Sequence, residues 1–593
     1  MSRENGYAPI RDYAAIGDGR TVALVAKDGA IDWLCLPDFD SGAVFARLLD
    51  TEGGGSFELQ PDEPFESERA YEESSNVLAT VFRTSSGTVR VTDALVLADE
   101  TFVPMRELVR KVEGVHGSVP MRWRIAPKFD FGRRRTRISA RDGRPIAYAG
   151  RDALVLGAWD AGEAVVSPEA IEGRFDAEPG RNALLDLAAT HQEPAVIPCR
   201  ADAEARLERT RGFWPRWAGA MNYEGRWKDA VARSALALKL CVFSPSGAIV
   251  AAPTTSLPEW IGRESTWDYR FTWLRDASFS LEALLNLGYR EEAHAFFWWF
   301  MHASRISQPR LQVLYRINGS RHAREKQLEL PGYCATKPVR IGNAAAEQLQ
   351  LDVYGDVLDA SWHYARHGGE LDRDTGRDVA KIADYVCKIW RDPDSGIWEN
   401  REQTKQFIHS KAMCWVALDR ACRLAEQGVI PDRRERWRPE LEAIRAFVET
   451  NGYDEELGGY VRATDMREPD GSLLTLALFG YSQPGDPRLA QTIEAVKRDL
   501  ASGPFVYRHK DGTEGAFLAC SFWLVDALSY VGRVDEAEKL MDESLALAND
   551  VGLFAEEIRE EDGAFLGNFP QALVHLALIN AAIEFRDATE RTT

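Results

Sequence analysis

Three stretches of this chain concentrate side chains that could do chemistry. The first, PEWIGRESTWDYRFTWLRDASF, holds Trp260, Trp267, Tyr269, Trp273, Arg275 and Asp276. Aromatic faces stack on the C–H faces of sugars, and Arg/Asp pairs grip hydroxyls through charge-assisted hydrogen bonds. The same residues also suit a structural role, with Trp267 and Trp273 in a core and Arg275 and Asp276 at a helix start. The second stretch, DPDSGIWENREQTKQFIHSKAM, places Glu399 after Trp398 in a Gly-containing turn that leads into a helix. A carboxyl against an indole in a partly dry cleft has its charged form disfavoured and can donate a proton near neutrality. An exposed turn glutamate is the alternative. The third, GLFAEEIREEDGAFLGNFPQALVHLAL, carries five carboxylates. Glu560, Glu561 and Asp562 read as solvated. Glu556 and Glu557 follow the apolar Leu553 and Phe554, so one of them is expected to face a cleft.

Two carboxylates from separate loops that face one pocket suit glycoside hydrolysis: one protonates the leaving oxygen, the other activates water or attacks directly. Other chemistries fit less well. There is no HExxH and no tight His/Asp cluster for a metal, and no GxSxG for a serine nucleophile. His409, His509 and His575 are far apart and read as hydrogen-bonding residues.

The elements that must position these residues show in the spacing. From Trp227 to Phe585 the chain reads as about a dozen helices whose links alternate between long and short. Long links run near 242–272, 308–342, 391–406, 451–471, 501–514 and 549–568; the short ones include 288–290, 368–371, 428–431 and 532–533. Long loops are usually functional. Helices that alternate up and down put every second loop at one end, so twelve of them predict six hairpins in a ring with a cleft at that end. The helical period is clear in Val379, Ile382, Ala383, Val386, Ile389 and Trp390, and in Cys414, Leu418, Ala421 and Leu424. Phe517, Cys520, Leu524 and Leu528 repeat it, as do Leu573, Leu576 and Ala577.

The first third has a different period. Val22, Leu24, Ile31 and Trp33 alternate around Asp28 and Gly29, as do Val81, Val89 and Val91 around Ser86 and Gly87, which predicts hairpins. Strands are also expected over Pro120–Ile125 and Ala153–Gly157, and an antiparallel sandwich accommodates them. Ala201–Gly212 turns helical and is expected to end near Trp214 and Pro215. The predicted organisation is therefore a β-sandwich over 1–200, a linker helix over 201–226 and a helical toroid over 227–593.

A 593-residue chain with a formal charge of -20 does not suit a nucleic-acid partner, and the Arg133–Arg135 run reads as a solvated turn. No apolar run reaches membrane-span length, and no leader-like stretch opens the sequence. The eight scattered cysteines form no CxxC pair, and Cys387, Cys414 and Cys520 fall on apolar stripes, which fits buried thiols in a cytoplasmic protein.

STWDYRFTWLRDASFSLEALLNLGY, GNAAAEQLQLDVYGDVLDA, GIWENREQTKQFIHSKAMCWVALDRA, EGAFLACSFWLVDAL and FLGNFPQALVHLAL together resemble glycoside hydrolase family 15. DGRTVALVAKDGAIDWLCLPDFDSGAVFARLL looks like the opening of its bacterial members. The resemblance implies an N-terminal antiparallel β-sandwich, a helical linker and an (α/α)6 barrel, with inverting, exo-acting release of β-D-glucose. It implies that Glu399 is the general acid and Glu556 the base, with Glu557 its neighbour. It matches Arg275 and Asp276 to the pair that holds the terminal glucose and Arg508 to a substrate arginine. Trp273, Trp398 and Glu514 are then expected in the pocket wall. Asn400 stands where fungal members carry a second glutamate. That departure, with no export signal or starch-binding appendage in view, points to a small oligosaccharide of the isomaltose or maltose type. Trehalose is the alternative within the family, and a disaccharide phosphorylase or a non-catalytic sugar-binding protein the alternatives outside it. Inversion needs carboxylates roughly 6.5–9.5 Å apart. The chemistry requires no metal or cofactor; phosphate or magnesium is kept open as an activator because some trehalase-like members are linked to them. Loops 308–342 and 451–471 carry no assigned chemistry and are expected to set linkage preference.

Overall fold

The computed structural model describes residues 3–97, 106–141, 143–510 and 512–592. Residues up to His191 build two antiparallel eight-stranded sheets that pack as a sandwich. The expected hairpins form: Leu24 pairs with Trp33 across the Asp28–Gly29 turn, and Phe82 pairs with Val89 across the Ser86–Gly87 turn. On Leu78–Thr84, however, Thr80 and Phe82 point inward and Val81 is only half-buried, so the reading from Val81 was one residue out of phase. A slip of one residue exchanges the two faces of a strand.

Val22–Ala26 and Ile31–Cys35 are buried on both faces, where alternation predicted one exposed face. The barrel covers the side that a free-standing sandwich would give to water. Trp33 Nε1 donates to the Pro253 carbonyl at 2.9 Å, Tyr7 Oη to that of Gly332 at 2.9 Å, and Arg270 to that of Ser41 at 2.7 Å. Arg69, with a side chain only 1% exposed, pairs with Asp550 at 2.8 Å. Each of these barrel partners lies in a long loop, so the sandwich rests against loops at the site end.

Helix α1 (Arg200–Ala218) links the two parts. It continues through Pro215 to Ala218, a little past the expected end near Trp214 and Pro215. The barrel follows as α2 (Lys228–Leu240), α3 (Ala277–Asn286), α4 (Arg290–Arg305), α5 (Asp352–Arg366), α6 (Arg373–Ile389) and α7 (Ile408–Glu426). It continues with α8 (Arg434–Asn451), the single turn α9 (Thr475–Leu478), α10 (Pro487–Leu500), α11 (Leu518–Tyr530), α12 (Val534–Leu545) and α13 (Ala572–Thr592). A 3-10 turn over Gly471–Leu474 extends α9. Helices α3, α5, α7, α9, α11 and α13 form an inner ring, closed where α13 packs on α3. The even-numbered helices lie outside.

The two rings bury different surfaces. The outer α8 buries only Trp437, Ile444 and Val448, and α6 buries the stripe from Val379 to Trp390 that its period predicts. The inner α11 is buried from Leu518 to Ser529 on every side, so the stripe read there understates it. Side-chain caps start two of the outer helices, α6 and α10: Asp372 accepts from the N–H groups of Asp374 and Thr375, and Asp486 from that of Arg488. Long loops span 241–276, 306–351, 390–407, 452–470, 501–517 and 546–571, alternating with short links, as the spacing predicted. In chain order they are loops 1 to 6.

Candidate active site

The long loops enclose a cavity of about 370 Å³. Loop 1 contributes Trp267, Tyr269 and Arg275; loop 3 contributes Trp398 and Glu399; loop 5, Arg508 and Glu514; and loop 6, Glu556. Six of the eight sequence-expected site residues thus line one space. Trp273 and Asp276 do not line it but brace residues that do. Trp273 Nε1 donates to Glu399 Oε1 at 3.0 Å, and Asp276 Oδ1 accepts from Arg275 Nε at 3.1 Å.

Glu399 sits at a tight turn. Its backbone lies in the left-handed region at φ 58°, rare for a residue with a side chain, and its N–H donates to the Gly396 carbonyl at 3.1 Å. Arg275 Nη1 donates to Glu399 Oε1 at 3.1 Å and to the Ile397 carbonyl at 2.8 Å. The adjacent indole is not the carboxyl's partner, contrary to the sequence reading. Trp398 Nε1 points away to Asp470 at 2.9 Å, while its ring packs edge-on to Phe517. The indole that meets Glu399 belongs to Trp273, and it does so through its N–H.

Glu556 and Glu557 face opposite ways because consecutive residues entering a strand alternate in direction. Glu557 begins the short strand Glu557–Ile558, which pairs with Ala516–Phe517 and Phe565–Leu566. Its carboxylate accepts from Gly515 N–H at 2.9 Å and from Arg508 at 2.7 Å. Glu556 turns into the cavity. Tyr269 Oη donates to its Oε1 at 2.7 Å and the Asn568 N–H to its Oε2 at 3.2 Å. Burial holds the Glu556 carboxyl up at about 7, against the pull of Arg508, Tyr269 and Asn568. Gly567 lets the chain pass: a Cβ there would lie 2.4 Å from Glu556 Oε2.

Arg508 organises a charged wall. It binds Glu514 through Nε at 3.0 Å and through Nη2, Glu557 at 2.7 Å, and Glu259 at 3.3 Å. Burial raises the Glu514 carboxyl, but Arg508 and His509 outweigh it and hold Glu514 at about 2. Burial, with the neighbouring carboxylates, pushes Glu259 up to about 8 despite Arg508. Oxygens of Glu259, Glu514 and Glu557 lie within 4.8 Å of one another, a spacing able to hold a cation. Here the Arg508 guanidinium bonds to all three and supplies that charge.

Sequence reasoning missed Glu259, although it stands in the first cluster beside Trp260. It also left loop 4 without chemistry, whereas Arg462 and Asp470 of that loop line the cavity. Loop 2 provides no lining residue; its Gln348 instead holds the turn of the acid, donating to the Glu399 carbonyl at 3.0 Å. His409 hydrogen bonds to Thr475, and His509 Nδ1 lies 3.0 Å from Glu514 Oε1; both, read as unrelated hydrogen-bonding residues, line the cavity. Burial lowers His409 to about 4, so it stands neutral in the wall. His575 lies elsewhere, bonded to Ser234. No helix among the described residues is long and apolar enough to cross a membrane.

The family model described as glycosyl hydrolases family 15 matches residues 225–583, and a model described as trehalase-like, N-terminal matches residues 4–170. The chain is 33% identical to a trehalase of Thermoplasma volcanium, covering 99% of this chain and 95% of that protein. It is 34% identical to a trehalase of Mycobacterium tuberculosis, covering 99% and 91%. Among solved structures, a bacterial glucoamylase complexed with acarbose superposes with a TM-score of 0.71 at 14% identity, covering 100% of this chain and 97% of that one.

Proposed function

This chain belongs to glycosyl hydrolases family 15 and is a glycoside hydrolase, and on that premise we propose that it cleaves α,α-trehalose to two molecules of glucose with inversion. The observation that carries the substrate is the likeness, over nearly the whole chain, to relatives named trehalase, with a trehalase-like model matching the N-terminal part as well. This reading replaces the isomaltose or maltose type expected from Asn400. A cavity of about 370 Å³ suits a disaccharide better than a polymer.

In this mechanism one glucose enters the deep end, where Arg275 and Arg508 hold its hydroxyls, with Asp276 and Glu514 orienting the two guanidinium groups. Trp398 closes the wall. Glu399 gives its proton to the glycosidic oxygen as the C1–O bond breaks. Glu556 takes a proton from a water that bonds to C1 on the opposite ring face. The water hydroxyl ends on C1, and the second glucose leaves with the proton of Glu399. Tyr269 and Asn568 orient the base, and Trp273 and Arg275 the acid. Glu556 turned into the cavity beside Glu399 supports hydrolysis over phosphorolysis, in which phosphate would take the place of the water and no base would be needed.

The test is incubation with trehalose, maltose, isomaltose and kojibiose while the anomeric protons of the products are followed by NMR before mutarotation. Trehalose should be cleaved fastest and yield α- and β-glucose in equal initial amounts, the β form from the attacked sugar. Two α products would mean retention, and faster turnover of another disaccharide would overturn the trehalose reading.

A further inference from the structure

The mouth of the cavity is built differently from its floor. The side chains of Arg275 and Arg508 are 11% and 9% exposed, whereas that of Arg401, lining the same cavity, is 32% exposed. The Arg401 guanidinium centre lies 3.9 Å from the centroid of the Trp267 ring, and that of Arg340 lies 4.5 Å from it. Two cations over one indole repel each other, so something must hold them there. Glu325 does: its carboxylate binds Arg340 Nε at 3.2 Å and Arg401 Nη2 at 3.0 Å, and the Ala344 N–H donates to it at 3.1 Å. Arg340 donates in turn to the carbonyls of Glu264 and Thr266. Loops 1, 2 and 3 are thereby clasped at the mouth. The clasp also reaches the opposite carboxylate: the Trp267 carbonyl accepts from the Asn568 side chain at 3.0 Å, and the Asn568 N–H donates to Glu556.

We propose that Trp267 and Arg401 form the subsite for the leaving sugar, and that Glu325 is the residue that positions them. The inference rests on the hydrolase reading above. Arg401 stands two residues after Glu399, and the acid delivers its proton to the oxygen joining the two sugars. Groups on the solvent side of Glu399 therefore face the sugar that leaves. With its ring packed against the two guanidinium groups, the half-buried Trp267 offers its edge to C–H groups, and Arg401 offers hydroxyls the N–H donors not taken by Glu325. Glu325 does not line the cavity, so it acts only through Arg401 and Arg340. Loop 2 thus affects substrate choice without touching substrate.

Glu325→Gln, Arg401→Ala and Arg401→Lys are compared with the unaltered enzyme on two substrates. One is α-glucosyl fluoride, which has no leaving sugar; the other is whichever glucose disaccharide the unaltered enzyme cleaves fastest. Glu325→Gln and Arg401→Ala should each lower kcat/KM for the disaccharide about tenfold relative to the fluoride, chiefly through KM. Arg401→Lys should recover only part, because an ammonium lacks the planar fork. Equal changes on both substrates, or no change on either, would overturn the subsite. Arg401 is at the surface, so its variants decide the matter if Glu325→Gln fails to fold. An unaltered enzyme inert to both substrates overturns the hydrolase reading instead, and one active on the fluoride but on no disaccharide overturns the subsite alone.

Discussion

The hydroxyl of Tyr269 donates to Oε1 of Glu556 at 2.7 Å, joining two residues 287 positions apart. The same Tyr269 ring meets Trp273 edge-on at 5.2 Å, and the Trp273 indole donates to Glu399. One aromatic pair from loop 1 therefore orients both proposed catalytic carboxylates.

This arrangement sets a pH dependence. Glu556 must be ionised to accept a proton, and burial holds it at about 7. Activity should therefore fall as pH drops through about 7. Tyr269→Phe removes a donor that favours the ionised form, so the acid limb of kcat/KM should move to higher pH. A fall in kcat of roughly ten- to a hundredfold should accompany it. The profiles of the two enzymes check this; an unmoved limb would argue against Glu556 as the titrating base.

Glu556 also costs stability. Its folded-state value lies above the ordinary 4.5, so the folded protein binds a proton that the unfolded chain has released. The stability of the protein should decline as pH rises from about 4.5 through about 7. Glu556→Gln removes that cost and should be more stable at pH 8, on the order of 2 kcal/mol, with little difference at pH 4. Its turnover should fall about a thousandfold or more, as should that of Glu399→Gln. Urea unfolding at the two pH values and single-turnover rates measure both effects.

Gly567→Ala should be harmful although the change is small. Gly567 has φ 70°, and an added Cβ would meet Glu556 Oε2 at 2.4 Å and Glu556 Cβ at 2.6 Å. The base must move or the loop must shift. Activity should drop about a hundredfold with a stability loss of roughly 1–3 kcal/mol. Steady-state kinetics and thermal unfolding would show it, and a fully active variant would mean that the turn relaxes freely.

Asp550→Ala tests the sandwich as a support for the site. Asp550 precedes Glu556 by six residues in loop 6 and binds the buried Arg69, whose Nη1 also donates to the carbonyls of Asp12 and Val25. Removing the carboxylate leaves a buried guanidinium without its counter-ion. Because Asp550 is 33% exposed, the expected loss is roughly 1–3 kcal/mol, below the figure for a fully buried pair. Calorimetry and kcat should fall together if the sandwich steadies the loop.

The residues of this chain determined, by themselves, whatever depends on near neighbours. Helical period and link length are local properties, so the six long loops, the sandwich hairpins and the motifs holding Glu399, Arg275 and Arg508 were legible. The same locality explains the errors. The phase of Leu78–Thr84 and the burial of Val22–Cys35 depend on which surface covers a strand, and the barrel decides that from far along the chain.

Ring closure decided the rest. Glu556 and Glu557 were equivalent in composition, and only the strand pairing of Glu557 with Phe517 and Leu566 turns one inward and the other onto Arg508. Arg462 and Asp470 carried no local signal and Glu259 only its place beside Trp260, because each matters through partners brought from other loops. The clasp of Arg340, Arg401 and Glu325 at Trp267 draws on three loops at once. A single stretch of sequence holds the chemistry of its side chains, but charges and hydrogen bonds acquire their partners, and burial its extent, only when the toroid closes.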